Sequence, residues 1–281
     1  MKNGVLLVDK PKGVTSRDVV NMICKKFNTK KVGHTGTLDP IATGLMIICI
    51  NKATSLVELI TNEDKEYIAN VKMGILTDTL DVTGTILNEN YEYNINKDKL
   101  EQALNSFIGT YWQEVPSYSA VKVNGKKLYE YARNSIDVEL PKRLVEIKEI
   151  NLLDFTNNDF TFKVKVSKGT YIRSLIRDIG QKLNIYMSLN ELRRTKISDN
   201  DVKNAKMIDD ISDKDIIKIE NFFDFPKIYV DKILEKKILN GVRLENNYHC
   251  DVVMFFNNNE ELLAIYKCND KNELCMYKLL K

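Results

Sequence analysis

The segment Gly33-His34-Thr35-Gly36-Thr37-Leu38-Asp39-Pro40-Ile41-Ala42-Thr43-Gly44 constrains this chain more than any other stretch. It joins two pieces that both have to be buried. Upstream, Thr15 or Ser16 is placed to cap a helix whose Val19, Val20, Ile23 and Phe27 fall on one face. Downstream, Leu45–Ile50 is an unbroken apolar run of the length of a buried strand. Between them, three glycines permit close backbone approach or positive φ. Asp39 precedes Pro40, which drives it out of the helical region into an extended one. A carboxylate held in a stiff loop beside a core strand is a candidate nucleophile or general base. The plainer reading is that Asp-Pro starts a turn.

The rest of the chain reads as a large mixed α and β unit followed by a small all-β one. Val5–Val8 is a short strand, Ala53–Ile60 a short helix, and Tyr67–Met73 and Thr85–Asn88 are strands around a turn with Asp78, Asp81 and Gly84. A helix starts at Asn96 and stops at Gly109. Phe160, Phe162, Val164 and Val166 alternate as one face of a strand, and Tyr171–Leu183 reads as a helix. Residues 199–224 read as a linker with a short helix. Beyond them come a helix at Val230–Asn240 and strands at Asp251–Phe256, Leu262–Lys267 and Leu274–Leu279. This composition change sets a boundary near residue 225. With 281 residues and 43% hydrophobic content, the chain can bury a core without a disulfide or metal staple. No apolar run approaches the roughly 20 residues of a membrane span. No export signal is visible, so the expected location is the cytoplasm.

The net charge of +3 is unevenly spread. Residues 1–31 hold eight Lys/Arg against two acids, and residues 163–196 hold nine against two. Two basic segments in a near-neutral chain suggest a polyanion surface. Neither G-x-x-x-x-G-K-[ST] nor G-x-G-x-x-G occurs, so no motif supports ATP or NAD chemistry. G-x-S-x-G is absent, only two histidines are present, and the five cysteines contain no C-x-x-C pair. No metal and no cofactor are expected. In Lys168-Gly169-Thr170-Tyr171-Ile172-Arg173, an aromatic and a guanidinium stand two residues apart at a strand-to-helix junction. Tyr can stack on a base, and Arg can pair bidentately with a carboxylate or a phosphate.

Several segments, in order, resemble the TruB family of bacterial tRNA pseudouridine synthases, which act on the T-loop uridine at position 55 of tRNA. They are Gly4–Ser16, Gly33–Gly44, Lys65-Glu66-Tyr67, Thr77-Asp78-Thr79 with Asp81 and Gly84, Pro116–Lys122, Tyr129–Arg133, Ser167–Leu175 and Leu192-Arg193-Arg194-Thr195. The chain departs from the family at Val115, Asn134 and Lys196–Asp199. The resemblance implies an α+β pseudouridine synthase fold, a mixed and mainly antiparallel sheet with flanking helices, and a small C-terminal PUA-like β-barrel. It implies a catalytic domain at 1–224, with an RNA-binding insertion at about 115–150, and an RNA-binding domain at 225–281. It makes Asp39 the nucleophile, Tyr67 the tyrosine stacked on the flipped base, and Arg173 the partner of Asp39. His34, Tyr171 and Leu192 line the uridine pocket. Lys10, Lys12, Lys122, Arg133, Lys168 and Arg193 are expected RNA contacts. The partner is the tRNA T-arm stem-loop, with no guide RNA, no membrane and a monomeric protein.

The chemistry is consistent with these absences. Pseudouridine formation breaks N1–C1′, turns the base and joins C5 to C1′, and no electrons or phosphate change hands. A carboxylate can attack C1′, attack C6 or remove the C2′ proton. Extruding the base costs a few kcal/mol, so the protein must bind the flipped state. A catalytically silent tRNA-binding or folding factor with the same fold is the alternative, as is a subunit directed by a guide RNA.

Overall fold

Strands that alternate buried and half-buried residues (Lys65–Met73 and Asp159–Val166) and one buried along almost its whole length (Thr43–Ile50) form the middle of the main sheet; the computed structural model describes residues 3–281. In chain order come β1 (Gly4–Lys10), α1 (Ser16–Lys26), β2 (Val32–His34), β3 (Thr43–Ile50), α2 (Val57–Thr61), β4 (Lys65–Met73), β5 (Ile75–Thr77), β6 (Ile86–Glu89), α3 (Lys97–Asn105) and β7 (Gly109–Glu114). A small hairpin, β8 (Lys122–Val123) and β9 (Lys126–Lys127), leads into α4 (Leu128–Arg133). Then follow β10 (Lys142–Phe155), β11 (Asp159–Val166), α5 (Ile172–Leu183), β12 (Met187–Ile197) and β13 (Asn200–Asp201). The tail holds α6 (Ile219–Phe222), β14 (Lys227–Tyr229), α7 (Lys232–Leu239), β15 (Leu244–Glu245), β16 (Val252–Phe256), β17 (Leu262–Cys268) and β18 (Glu273–Leu279).

The main sheet has the order β1-β3-β12-β4-β11-β10-β7, with β2 beside β3 and β13 beside β12. Its pairs are antiparallel except β12 with β3, which meet in parallel at Arg193–Thr43 and Arg194–Gly44. On one face, Tyr67, Ala69, Val71 and Met73 of β4 and Phe160, Phe162, Val164 and Val166 of β11 bury against α1, α3 and α5. Burying each such phenylalanine is worth about 1.5–3 kcal/mol. On the opposite face, Val5, Leu45, Ile47 and Cys49 of β1 and β3 pack against Met254, Phe256, Ile265 and Leu280. Met254, Phe256 and Ile265 belong to a second, curled sheet of order β14-β16-β17-β18-β15, and Leu280 follows its last-made strand. Its other side closes over Ile238 of α7.

Three features depart from the sequence reading. Residues 199–224 are not a free linker: Ile217 bridges Val5 and Lys206 bridges Val8 along the edge of β1. Strands β10 and β12 are absent from the sequence reading. Bulges between Ile147 and Glu149 and between Leu152 and Asp154 interrupt the alternation of β10, and the centre of β12 carries two arginines. From Lys142 the chain is already in the main sheet, so only the earlier part of the stretch at about 115–150 stands off it.

The Asp39 loop is held from several sides. The Thr15 side chain caps α1 in a capping box with Asp18. The next residue, Ser16, reaches across to the loop: its hydroxyl donates to the Leu38 carbonyl (2.9 Å) and accepts from the Leu38 N–H (2.8 Å). Lys10 is fully buried, and its ammonium donates to the carbonyls of Pro11 (2.9 Å) and Val14 (2.8 Å), with Pro40 O at 3.5 Å. The Gly13 N–H donates to Pro40 O at 2.8 Å. Where the loop enters β3, Gly44 has φ +104°, and a Cβ there would stand 2.3 Å from the Arg194 carbonyl oxygen.

Gly44→Ala should therefore lower the unfolding free energy by about 2 kcal/mol or more, read by urea denaturation; an unchanged midpoint would refute the close crossing. Lys10 gives a pH prediction. Burial holds its ammonium down to about 8, against an ordinary 10.5, although Asp39 pulls the other way. Below about 8 both states are protonated and the burial penalty is felt in full. Between about 8 and 10.5 the unfolded chain binds the extra proton, so this group's contribution to stability rises with pH. Urea unfolding of wild type and Lys10→Met from pH 7 to 10 should show the wild type gaining on the variant. A pH-independent difference would contradict the depressed value.

Candidate active site

A cavity of about 1020 Å³ opens where the Asp39 loop, the starts of β4 and α5 and the ends of β11 and β12 converge. His34, Asp39, Tyr67, Tyr171, Arg173 and Leu192 all line it. The structure thus brings together every residue assigned by sequence to catalysis or to the uridine pocket.

At its centre is a two-point ion pair. Arg173 Nε lies 2.9 Å from Asp39 Oδ2, and Arg173 Nη2 donates to Oδ1 at 3.3 Å. The arginine is 5% exposed, whereas the carboxylate is 35% exposed and faces the opening. The same guanidinium donates to two backbone carbonyls, Thr79 O at 2.7 Å and Tyr118 O at 3.0 Å. A planar fork of five donors suits such a junction, and lysine could not span it. The Thr79 turn is itself held by Asp81, whose Oδ1 accepts from the Thr79 hydroxyl and the Thr83 N–H, both at 3.0 Å. Tyr118 is tied down by its hydroxyl, which donates to Asp78 Oδ2 at 3.1 Å.

The start of α5 has no capping side chain from Tyr171, its N-cap residue. Gln113 of β7 supplies the acceptor instead, taking the Tyr171 N–H at 2.7 Å. The Gln113 amide donates to the Tyr111 hydroxyl at 2.6 Å, which points to Asp178 at 3.4 Å. Burial, reinforced by Asp178, pushes the Tyr111 phenol far above its ordinary range, so it stays a neutral donor. This relay fixes the backbone that carries both Tyr171 and Arg173. Tyr67, nearly buried, comes from β4, where it stands opposite Val164 and Arg194. His34 is pulled below its ordinary value by burial first, then by Arg194 and Arg17. It is neutral at pH 7. The Gly36 N–H donates to its Nδ1 at 3.3 Å, an assignment that leaves the proton on Nε2.

The expected RNA contacts divide. Lys10 is a correction: its ammonium is consumed by carbonyls inside the fold and has no surface to offer a phosphate. Arg193 directs its fork at Asp9, at 3.1 and 2.6 Å. Lys12 lies 3.2 Å from Glu191, an exposed pair that is worth little. Lys168 lines the cavity and donates to Asn62. Lys122 and Arg133 are exposed on the β8–α4 projection. Sequence reasoning missed Arg194. It is 1% exposed, lines the cavity, and donates to Leu45 O (2.7 Å) and Gly36 O (3.1 Å), fixing the loop from below. The sequence reading placed no strand here that could have set its direction; on β12, period two puts it on the same face as Leu192. Lys65, also at the cavity wall, is held down to about 8 by burial and donates to Thr61 O and Glu63 O.

Comparison with known proteins places this arrangement. The family described as "TruB family pseudouridylate synthase (N terminal domain)" matches residues 24–172. The tRNA pseudouridine synthase B of Caldicellulosiruptor saccharolyticus is 43% identical over 276 residues, covering 98% of this chain and 94% of that protein. That of Mesoplasma florum is 37% identical, covering 96% of each. Among solved structures, a Cbf5-Nop10-Gar1 complex contains a chain with a TM-score of 0.70 and 25% identity, covering 99% of this chain and 84% of that one. The fold is that of pseudouridine synthases, and the family match spans more than half of the residues. The chain belongs to the TruB family of pseudouridylate synthases.

Proposed function

We propose that this isomerase converts uridine to pseudouridine at position 55 in the T-loop of tRNA, with the target base flipped into the cavity and Asp39 as nucleophile. The observation that carries the reading is the Asp39–Arg173 pair, buried on the arginine side and open on the carboxylate side. An anchored carboxylate facing a cavity suits attack on C1′, attack on C6 or removal of the C2′ proton, and no redox or phosphoryl group is needed for any of them. Tyr67 and Tyr171 supply aromatic surface for the uracil, and Leu192 supplies apolar wall. His34, neutral with Nε2–H, supplies a hydrogen-bond donor. The names of the relatives support tRNA as the substrate.

In this reading, residues 1–224 form the catalytic unit and 225–281 an RNA-binding unit of PUA type. Lys12, Lys122, Arg133, Lys168 and Arg193 meet phosphates, which makes affinity fall steeply with salt. The protein works in the cytoplasm as a monomer, on the folded T-arm, without a guide RNA, cofactor or metal.

Two experiments test this. The first follows tritium release from a [5-³H]uridine-labelled T-arm stem-loop with no metal, nucleotide or second protein added. Wild type should turn over, and Asp39→Asn should retain RNA binding while losing at least about 10³-fold in rate, as when a covalent nucleophile is removed. Release by neither, with RNA bound, would favour a binding factor or a guide-dependent subunit. Equal release would remove Asp39 from the chemistry. In the second, Arg173→Lys keeps the charge but loses the fork. It should cut the turnover rate about 10- to 100-fold with near-wild-type RNA affinity. Unchanged turnover would show that orientation of Asp39 by the fork is dispensable.

A further inference from the structure

The chain contains one tryptophan, and it is not in the core. Trp112 lies in the middle of β7 with 66% of its surface exposed. The alternation of the strand explains this: Tyr111 and Gln113 turn inward to the α5 relay, so Trp112 turns out. β7 closes the sheet on this side, and among the described residues its only partner in the main sheet is β10. In that pairing Trp112 stands directly opposite Leu144, which is itself 58% exposed. Directly opposed residues of an antiparallel pair share a face, about 5 Å apart. Two large apolar side chains are thus displayed together, both largely open to solvent among the described residues.

What covers them is indicated by their neighbours. Leu144 lines the catalytic cavity, as do Arg143 beside it and the Lys168-Gly169-Thr170 loop across from it. The Arg143 guanidinium comes within 3.9 Å of where a Gly169 Cβ would stand. The apolar pair is therefore the outward continuation of the cavity rim. Among the described residues, Lys142 pairs with no carboxylate, and Glu114, opposite it on β7, is taken by Arg177 at 2.9 Å; Arg143 stands opposite Gln113 and turns to the cavity side, so the two cations flank the apolar pair from either face of β10. An indole with a flat exposed face, beside unpaired cations and continuous with the cleft, has the makeup of a platform for an unstacked nucleotide. A hydrophobic protein segment would not need the cations.

We propose that Trp112, backed by Leu144, is a second stacking site, taking one base of the RNA just outside the cavity, with Lys142 and Arg143 on the adjoining phosphates. The inference rests on the reading that the substrate is a tRNA T-arm and deepens it. It assigns to the outer rim a sequence-tolerant contact, because every base has a π-face.

The lone tryptophan makes the test direct. Synthetic T-arm stem-loop RNA is titrated into wild-type protein while tryptophan emission and the anisotropy of an end label on the RNA are followed in parallel. The emission should be quenched with the same midpoint as the anisotropy rise. Trp112→Ala, an exposed edge substitution, should weaken RNA binding and raise KM about tenfold, within the range for loss of one stack. Its kcat at saturating RNA should be unchanged, and Trp112→Phe should recover most of the affinity. RNA binding with unquenched emission would overturn the proposal and leave the function standing. Quenching with undiminished affinity of Trp112→Ala would also overturn it, since the ring would then report a change elsewhere. An emission change on raising the protein concentration without RNA would assign the patch to a second copy of the chain instead. Failure of wild type both to bind the stem-loop and to modify it would remove the functional reading along with this one.

Discussion

The guanidinium of Arg173 is the junction on which the site depends. Three segments far apart in sequence, the Asp39 loop, the Thr79 turn and the Tyr118 loop, end on its nitrogens. A buried cation is tolerated only when its donors are matched; removing one partner of a fully buried pair typically costs about 3–5 kcal/mol, and less here because the carboxylate is 35% exposed. Here two of the acceptors are main-chain carbonyls, which carry no net charge. The one full negative charge in contact is the Asp39 carboxylate, which lines the cavity. The electrostatic need of the buried arginine and the orientation of the Asp39 carboxylate are satisfied by a single contact.

Support for that contact comes from both ends. Gln113 fixes the helix start that carries the arginine, while Ser16, Lys10 (through Pro40 O) and Arg194 fix the loop that carries the aspartate. Most of these anchors use backbone groups as partners. Such a site tolerates side-chain variation around it better than one built from side-chain pairs, provided the carbonyls stay in place.

The same fact explains what could be read from the sequence. Leu45–Ile50 and the phenylalanine alternation of β11 were legible because their burial is a property of their own side chains. Asp39 was legible because proline and three glycines mark its loop. Tyr67 and Arg173 were identified through resemblance, in motifs too short to speak alone. Thr79 and Tyr118 entered only as parts of quoted segments, because a carbonyl acceptor has no signature in sequence. Arg194 was passed over for Arg193, which reads identically as a residue. Only the strand register decides that Arg194 turns inward onto Leu45 O while Arg193 turns to Asp9 at the surface. Strand β10 was lost to its two bulges, which break the period that identifies a strand.

The order of strands in the main sheet also bears on how the chain reaches this state. β1, β2 and β3 come from the first 50 residues, and β4, β11, β10 and β7 form their own antiparallel group. In the strand order, β12 stands between the two groups and is the last of the seven to be made. On the ribosome, the amino-terminal strands therefore wait through more than a hundred residues of synthesis for the edge they need. Their opposite face stays bare still longer, until Met254, Phe256 and Ile265 emerge. Closure of the cleft, with Arg194 beneath the Asp39 loop, therefore cannot precede synthesis of β12, although the loop and its anchors Lys10 and Ser16 are made within the first 50 residues.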